Sequence, residues 1–245
     1  MEELKQIVGS HYASNDPDKL AGYKTDQEEN TLYHHMPEAV VYPETTEQVA
    51  AIMKLATRLR IPVTPRSGGT GLAGGAIPVC GGIVLVFDRM NKILELDPVN
   101  MFVRVQAGTP TIEIQNAAKE HGLLYAGDPC SVDAGCEIGG NISTNAGGNK
   151  AVRFGTTRNQ VYSLRCVTAR GEILDVGARL KKQSTGYALE QLIIGSEGTL
   201  VVVTEATLKL QPLPKNTADL LAVFHDIDDA LQLPNLILKE GINPI

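Results

Sequence analysis

Short apolar runs alternate with an amphipathic stretch over the first third of the chain. Residues 39–42 and 63–65 are apolar or β-branched runs next to prolines, which predicts two short strands. Between them, residues 45–48 offer an N-cap and a capping box, and apolar residues then recur at helical spacing. The pattern predicts a strand, a helix that ends before Pro62, a second strand and then a loop at residues 66–75 that is the most glycine-dense part of the chain.

Beyond residue 82 the pattern becomes one of strands. Strands are predicted at residues 83–87, 93–96, 101–107, 161–169, 172–176 and 200–210. In residues 101–107 apolar and polar side chains alternate with period two, which predicts a strand with one buried face. The turn Arg170-Gly171 joins two of the strands into a hairpin.

One helix is predicted within this strand-rich part. Thr109 is its expected N-cap, Pro110 occupies its first position and Gly122 follows its end. A long, polar, glycine-rich stretch then covers residues 127–160. The fold class is therefore α+β, with two packed subdomains that meet near residues 90–100.

The two ends of the chain differ from the middle. Residues 1–36 are polar and charged, which predicts an N-terminal extension with short helices. Residues 220–224 and 226–238 predict a strand and a helix, and a strand and helix alone cannot bury both their faces. We therefore expect residues 216–245 to begin a further domain, and the chain to be truncated before it; a naturally short protein is the alternative.

Composition excludes several classes of partner. Lys and Arg total 22 against 28 Asp and Glu, and the resulting net charge of −6 is the opposite of what phosphate-backbone binding needs. No apolar run approaches the ~18 residues of a membrane span, and the first residues lack the basic and apolar regions of a signal peptide. We expect a cytoplasmic protein, or one that reaches the inner membrane through a partner. The four cysteines lack zinc-ligand spacing, so reduced thiols and no metal site are expected.

Residues 69–74 match the Gly-x-Gly-x-x-Gly pattern, and a strand that ends in Asp88 follows, as in a nicotinamide-binding unit. That unit needs a helix directly after its last glycine. Residues 75–82 contain three glycines and a proline, which argues against a helix there. What remains is a series of backbone N–H groups that can hold an anion such as a diphosphate, helped by Ser67, Thr70 and Arg66. A simple tight turn is the alternative.

A second glycine cluster lies at residues 139–148, where four glycines accompany four amide or hydroxyl side chains and no charge. Such groups match a neutral heterocycle with carbonyl acceptors and N–H donors, such as a flavin ring. The alternative is a solvated loop with Asn and Ser at turn positions.

Several ordered motifs are similar to those of a known family. The pieces are residues 39–43, 65–75, 138–148, 154–157 and 195–200, and the N-terminal part with Tyr23, Asp26 and Glu29 is similar to the lead-in of that family. The chain resembles the FAD-binding domain of the vanillyl-alcohol oxidase and p-cresol methylhydroxylase superfamily, above all FAD-linked D-lactate dehydrogenases and glycolate oxidase flavoprotein subunits. The resemblance implies a two-subdomain FAD-binding fold over residues 37–215, with subdomains at 37–92 and 93–215.

The resemblance also assigns residues to the cofactor. The diphosphate would be held by Arg66, Ser67, Gly68, Gly69, Thr70, Gly71, Gly75 and Ala76. The flavin and ribityl chain would be lined by Pro129, Ser131, Gly140, Asn141, Thr144, Asn145 and Gly148, and the adenosine end and ring edge by Gly155, Glu197 and Val203. Some relatives attach FAD through a histidine in the diphosphate loop; this loop has Thr70 and no histidine, which implies non-covalent FAD.

Two departures from the family pattern affect these assignments. Val201 stands where relatives usually have glycine, and it would crowd the cofactor. The spacing from Pro129 to Ile138 is about one residue longer than the family pattern, which shifts the assignment of Ser131 by up to one position.

The activity implied by the resemblance is oxidation of a 2-hydroxy acid, of the D-lactate or glycolate type, by hydride transfer to flavin N5. Substrate and metal residues of the family lie in the following domain, so no catalytic residue is assigned and this part alone is expected to be inactive. The electron acceptor would be a quinone, a cytochrome, an electron-transfer flavoprotein or an iron–sulfur protein. Two alternatives remain: an NADPH-dependent enolpyruvyl-sugar reductase on the same scaffold, and a non-catalytic binding module, which Val201 favours.

Overall fold

A computed structural model of the chain describes residues 1–27 and 30–244, and Glu29 therefore lies outside the described residues. Its α-helices are α1 (Glu2–Val8), α2 (Pro17–Leu20), α3 (Thr46–Leu59), α4 (Thr111–Glu120), α5 (Ile138–Thr144), α6 (Ala151–Phe154), α7 (Thr157–Gln160), α8 (Leu189–Ile193) and α9 (Ile227–Lys239). Its strands are β1 (Ala13–Ser14), β2 (Ala39–Val41), β3 (Val63–Arg66), β4 (Ile83–Val86), β5 (Ile93–Asp97), β6 (Phe102–Gln106), β7 (Leu123–Leu124), β8 (Val161–Thr168), β9 (Ile173–Gly177), β10 (Val201–Lys209) and β11 (Gln211–Pro212).

The first sheet has the order β1-β2-β4-β3, and its strands β2, β3 and β4 are parallel. Helix α3 connects β2 to β3, and its predicted cap is confirmed, because the Thr45 side chain accepts a hydrogen bond from the Gln48 N–H. The Gln48 side chain in turn accepts from the N–H of Glu44 at 2.7 Å. This reciprocal pair satisfies two amide groups at the start of the helix.

Both faces of the first sheet are covered, and side chains of β4 alternate between them. Ile83 and Leu85 pack in a core with residues of α1 and α3, whereas Val84 and Val86 pack against Leu20. The parallel strands therefore read as a continuous apolar run, as expected for a sheet buried on both sides. The N-terminal segment thus packs into the cores on both faces of the sheet.

The second sheet has the order β5-β6-β10-β8-β9 and is antiparallel throughout. The predicted hairpin is confirmed as β8 and β9, and the long last strand as β10. Helices α4 and α5 cover one face, where Ile114 and Ile142 pack with Val103, Val105 and Leu208. The mixed architecture confirms the α+β class.

The structure corrects two details around β6. The predicted buried face is confirmed at Val103, Val105 and Ala107, but the opposite face is covered as well, since Phe102 is 7% and Gln106 9% exposed. Arg179 lies over the Phe102 ring, and the Gln106 side chain accepts from the N–H of Lys92, so polar and aromatic residues are covered too. The predicted N-cap of α4 is also displaced by one residue: Pro110 occupies the cap position, because the Thr109 hydroxyl donates to the Lys92 carbonyl instead.

The polar stretch at residues 127–160 contains three short helices, α5, α6 and α7. Two glycines of α5 do not prevent the helix, because Gly139 packs so closely on Ala107 and Ser67 that a Cβ would lie 2.9 Å from each. The N–H groups of Ile138 and Gly139 donate to the carbonyls of Thr109 and Ala107. Tertiary packing therefore overrides the low helix propensity of glycine.

The predicted strand at residues 220–224 is wrong, whereas the helix after it is confirmed as α9, capped by Asp226. Leu220 and Leu221 are 96% and 92% exposed, and the described part of the chain places no strand beside them. A strand needs such a partner for its backbone hydrogen bonds.

Candidate functional site

A cleft of about 430 Å³ lies between the two sheets. The glycine loop, residues 67–76, forms one wall, and the segment 136–144 that leads into and contains α5 forms the other. The first residues of β10, Val201 to Val203, and the preceding Glu197-Gly198 complete it. Its volume falls in the range of small-molecule and cofactor sites.

The glycine loop presents unpaired backbone donors to this cleft. The part of the chain that the structure describes offers no acceptor to the N–H groups of residues 68–71. Gly69 adopts a positive φ of 63°, which turns the chain and which glycine adopts at no steric cost. The Thr70 hydroxyl donates to the Ser131 hydroxyl at 3.3 Å and so links the loop to the turn on the other wall. A run of free N–H groups of this kind favours an anion.

Arg66 supports the loop from behind and does not line the cleft. Its guanidinium donates to the carbonyls of Thr25 and Ala76, and a Cβ on Gly69 would overlap it. Burial lowers the pKa of Arg66, an effect that the nearby Asp26 carboxylate opposes. The arginine therefore fixes the loop against the N-terminal segment and contributes positive charge beneath it.

Hydroxyl and amide side chains follow one another along α5. The Ser143 and Thr144 hydroxyls donate to the carbonyls of Gly139 and Gly140 at 2.8 and 3.0 Å. Their donor capacity is therefore used, and their lone pairs remain for an N–H donor. Asn141 is buried and its amide donates to the Thr111 hydroxyl, so this side chain is turned towards the core although the residue borders the cleft.

Thirteen of the eighteen residues that the sequence assigned to the cofactor border the cleft. The others are Arg66, Pro129, Asn145, Gly148 and Gly155. Asn145 has a φ of 51°, and its side chain accepts from the Thr156 hydroxyl and the Arg158 N–H, so it holds the turn between α5 and α7. Gly148 packs on the carbonyl of Asp128, where a Cβ would overlap the oxygen. These positions shape the wall from outside.

The segment between Pro129 and Ile138 forms a tight turn. The N–H of Val132 donates to the Pro129 carbonyl, and the N–H of Cys136 to the Ser131 carbonyl. Ser131 borders the cleft.

The base of the cleft is apolar. Val201 and Val203 point into the core that contains α4 and α5, whereas Val202 points into the core that contains α3. Val201 is 9% exposed and borders the cleft without filling it. An apolar base suits a flat aromatic ring, and the free N–H groups suit a diphosphate, so the residues present fit FAD.

Sequence reasoning missed Glu137, which borders the cleft next to the second glycine cluster. Burial, and secondarily the Asp88 carboxylate, raises the pKa of Glu137 to about 8. Gly139 and Ser143 also border the cleft and lie in the second glycine cluster, although the resemblance assigns neither to the cofactor. Only the tertiary structure reveals that Glu137, Cys136 and Phe87 border the cleft.

A family model agrees with this geometry. The model of the FAD binding domain matches residues 37–177, more than half of the chain. The chain belongs to this family.

Curated relatives extend the match. The glycolate oxidase subunit GlcD of Bacillus subtilis is 40% identical over 244 residues, which are 99% of this chain and 51% of that protein. The D-lactate dehydrogenase of Anaerostipes hadrus is 43% identical over 195 residues, 80% of this chain and 41% of that protein. The chain thus spans about half the length of these relatives.

A solved structure of p-cresol methylhydroxylase with bound substrate superposes with a TM-score of 0.79 at 20% identity, and covers 96% of this chain and 47% of its own. This likeness confirms the fold expected from the sequence. Across the described residues, no helix combines the length and the apolar character needed to cross a membrane.

Proposed function

We propose that this chain is the FAD-holding part of an oxidoreductase that oxidises a 2-hydroxy acid of the D-lactate or glycolate type. The observation that carries the proposal is the row of N–H groups at residues 68–71, to which no described residue offers an acceptor and which face the hydroxyl-bearing helix α5 across an apolar base. The names of two relatives, a glycolate oxidase subunit and a D-lactate dehydrogenase, support the substrate class.

When bound, FAD supplies the electron chemistry by accepting hydride from the substrate α-carbon at flavin N5. The residues of this chain bind and orient it. The loop N–H groups hold the diphosphate, the α5 hydroxyls and backbone accept and donate at the ring and ribityl chain, and Val201 to Val203 exclude water from one side.

The described residues that border the cleft include no Lys, Arg or His, and its charged residues are Asp26, Glu137 and Glu197. A 2-hydroxy acid carries a carboxylate, which needs a cation, and its hydroxyl proton needs a base. We therefore place the cation beyond this chain and infer that residues 1–245 alone do not turn over substrate. A quinone, a cytochrome, an electron-transfer flavoprotein or an iron–sulfur protein would then reoxidise the flavin.

We assign FAD binding to residues 37–215, with subdomains at 37–92 and 93–215, preceded by a lead-in at 1–36 and followed by the start of a substrate domain at 216–245. We also infer non-covalent attachment, because Thr70 is the residue of the loop that faces Ser131, and no histidine or tyrosine of the described chain borders the cleft.

The first test is a visible spectrum and a thermal melt of the chain with FAD, and with NADH as control. A ligand at 100 times its Kd stabilises the fold by about 2.7 kcal/mol. Bound yellow flavin and a rise in Tm with FAD but not NADH are expected. A folded protein that shows neither would refute the proposal and favour a module that has this fold but does not bind FAD.

A matched pair of variants tests the diphosphate position. Gly71 has no positive φ, and among the described residues its Cβ would meet nothing closer than Asp26 at 3.8 Å, so a Cβ is accommodated there. Gly71→Glu places a carboxylate at the loop, whereas Gly71→Gln has the same size without the charge. The Glu variant is expected to raise the Kd for FAD well above that of the Gln variant; equal Kd values would place the diphosphate elsewhere.

Substrate class is tested on the full-length protein under anaerobic conditions. D-lactate or glycolate is expected to bleach the flavin absorbance, and NADPH is not. Bleaching by NADPH alone would favour the enolpyruvyl-sugar reductase alternative.

A further inference from the structure

Glu137 is held rigidly at the cleft. Its neighbours are fixed by backbone hydrogen bonds, because the Thr111 N–H donates to the Cys136 carbonyl at 3.0 Å and the Ile138 N–H to the Thr109 carbonyl at 3.0 Å. Glu137 also packs on the glycine loop: a Cβ on Gly68 would lie 3.6 Å from its backbone nitrogen. The backbone of Glu137 is therefore fixed beside the glycine loop, at the wall of the cleft that the residue borders.

The carboxyl group of Glu137 lacks compensation. Its Oε2 is fully buried, and none of the residues described in the structure gives that atom a hydrogen bond. Glu137 forms no ion pair with any described residue. A buried carboxylate without a donor or a cation is costly, which favours the protonated form.

Of the charged groups near Glu137, the Asp88 carboxylate acts on its pKa in the same direction as burial. Asp88 lies shortly after β4 and raises the pKa of Glu137. The Arg66 guanidinium lowers the pKa of Asp88 and so favours its ionised form. The other charged residues that border the cleft are the carboxylates Asp26 and Glu197. On the preceding turn, Cys136 donates its thiol hydrogen to the Thr111 hydroxyl.

We propose that Glu137 is a binding residue for the cofactor that acts in its neutral form, so that the chain takes up a proton when it binds the dianionic diphosphate of FAD at neutral to alkaline pH. The neutral acid can donate a hydrogen bond to a phosphate oxygen, whereas the ionised form repels it. The inference rests on the proposed FAD site and adds to it a pH dependence and an assigned proton.

The sign and size of the effect follow from linkage. With a pKa of about 8 in the free protein, the neutral fraction falls tenfold per pH unit above that value, so the Kd for FAD should rise about 30-fold between pH 7 and pH 9.5. Below pH 7 the Kd should be constant with respect to this group.

The test is a fluorescence titration with FAD from pH 6.5 to 9.5, together with calorimetry in two buffers of different ionisation enthalpy, which counts protons taken up. The wild-type chain, Glu137→Gln and the exposed control Glu113→Gln are compared. The wild type and the control should share the alkaline loss of affinity and proton uptake, and Glu137→Gln should show neither.

Each outcome decides between the proposals. A wild-type Kd that does not change with pH, or a pH profile that survives in Glu137→Gln, overturns the role of Glu137 while FAD binding stands. Absence of FAD binding by the wild type at every pH overturns the FAD site and this inference with it. Should the Gln variant fail to fold, absence of proton uptake by the wild type at alkaline pH still overturns the inference.

Discussion

The contact between the two walls of the cleft makes Gly68→Ala an informative perturbation. A Cβ at this position would lie 2.6 Å from the Gly135 carbonyl oxygen, and real Cβ contacts under 3.0 Å essentially never occur. The loop and the turn must therefore move apart by at least about 0.4 Å, and the obstacle is backbone, which cannot rotate away as a side chain would. Overpacking of this kind costs about 1–3 kcal/mol.

Urea denaturation followed by circular dichroism measures this cost as a shift in midpoint at constant m-value. For a chain of this size, about 1–3 kcal/mol corresponds to a fall in Tm of about 2–12 °C. Gly71→Ala is the matched control in the same loop, since its Cβ meets ordinary distances only. Equal stabilities of Gly68→Ala and Gly71→Ala would refute the close approach of the two walls.

Three further changes are tested by the same denaturation experiment. Tyr125→Phe should raise the unfolding free energy by about 1 kcal/mol, because the fully buried Tyr125 hydroxyl finds no partner among the described residues; a loss would mean that it is satisfied. Thr204→Val should cost about 1–3 kcal/mol, since it leaves the buried Thr46 hydroxyl unpaired, and the double variant with Thr46→Val should recover part of that loss. Burial raises the pKa of Glu137 from 4.5 to about 8, so the wild type loses stability as pH rises through this window. Glu137→Gln lacks this loss. The difference in unfolding free energy in favour of the variant should therefore grow from pH 5 to pH 8.5, by about 1–3 kcal/mol after allowance for partial exposure. A difference that does not change with pH would contradict the reasoning.

Local patterns predicted the elements that follow from periodicity and caps. Helix α3 shows this best, because its N-cap, its apolar stripe and its end before Pro62 are all local signals. The strand at residues 220–224 failed for the opposite reason: its apolar residues fit a strand, but a strand also needs a neighbour, which local sequence does not report.

The candidate site divides in the same way. Glycine clusters located both walls of the cleft, since glycine density is visible in a single sequence. The direction of each polar side chain was not visible, because Asn141 turns to Thr111 and Arg66 to the N-terminal segment through contacts distant along the chain. Glu137 was missed because its burial and its proximity to Asp88 depend on segments distant along the chain.

The alternation of side chains at the start of β10 limits how the cleft can open. Val201 and Val203 belong to one core, Val202 belongs to the other, and Thr204 bonds to Thr46 of α3. A hinge rotation of one sheet against the other would have to pull this strand out of one of its cores. We therefore expect a ligand as large as a dinucleotide to enter and leave past the exposed outer loops, at residues 71–73 and 133–135, and its dissociation rate to respond to changes there.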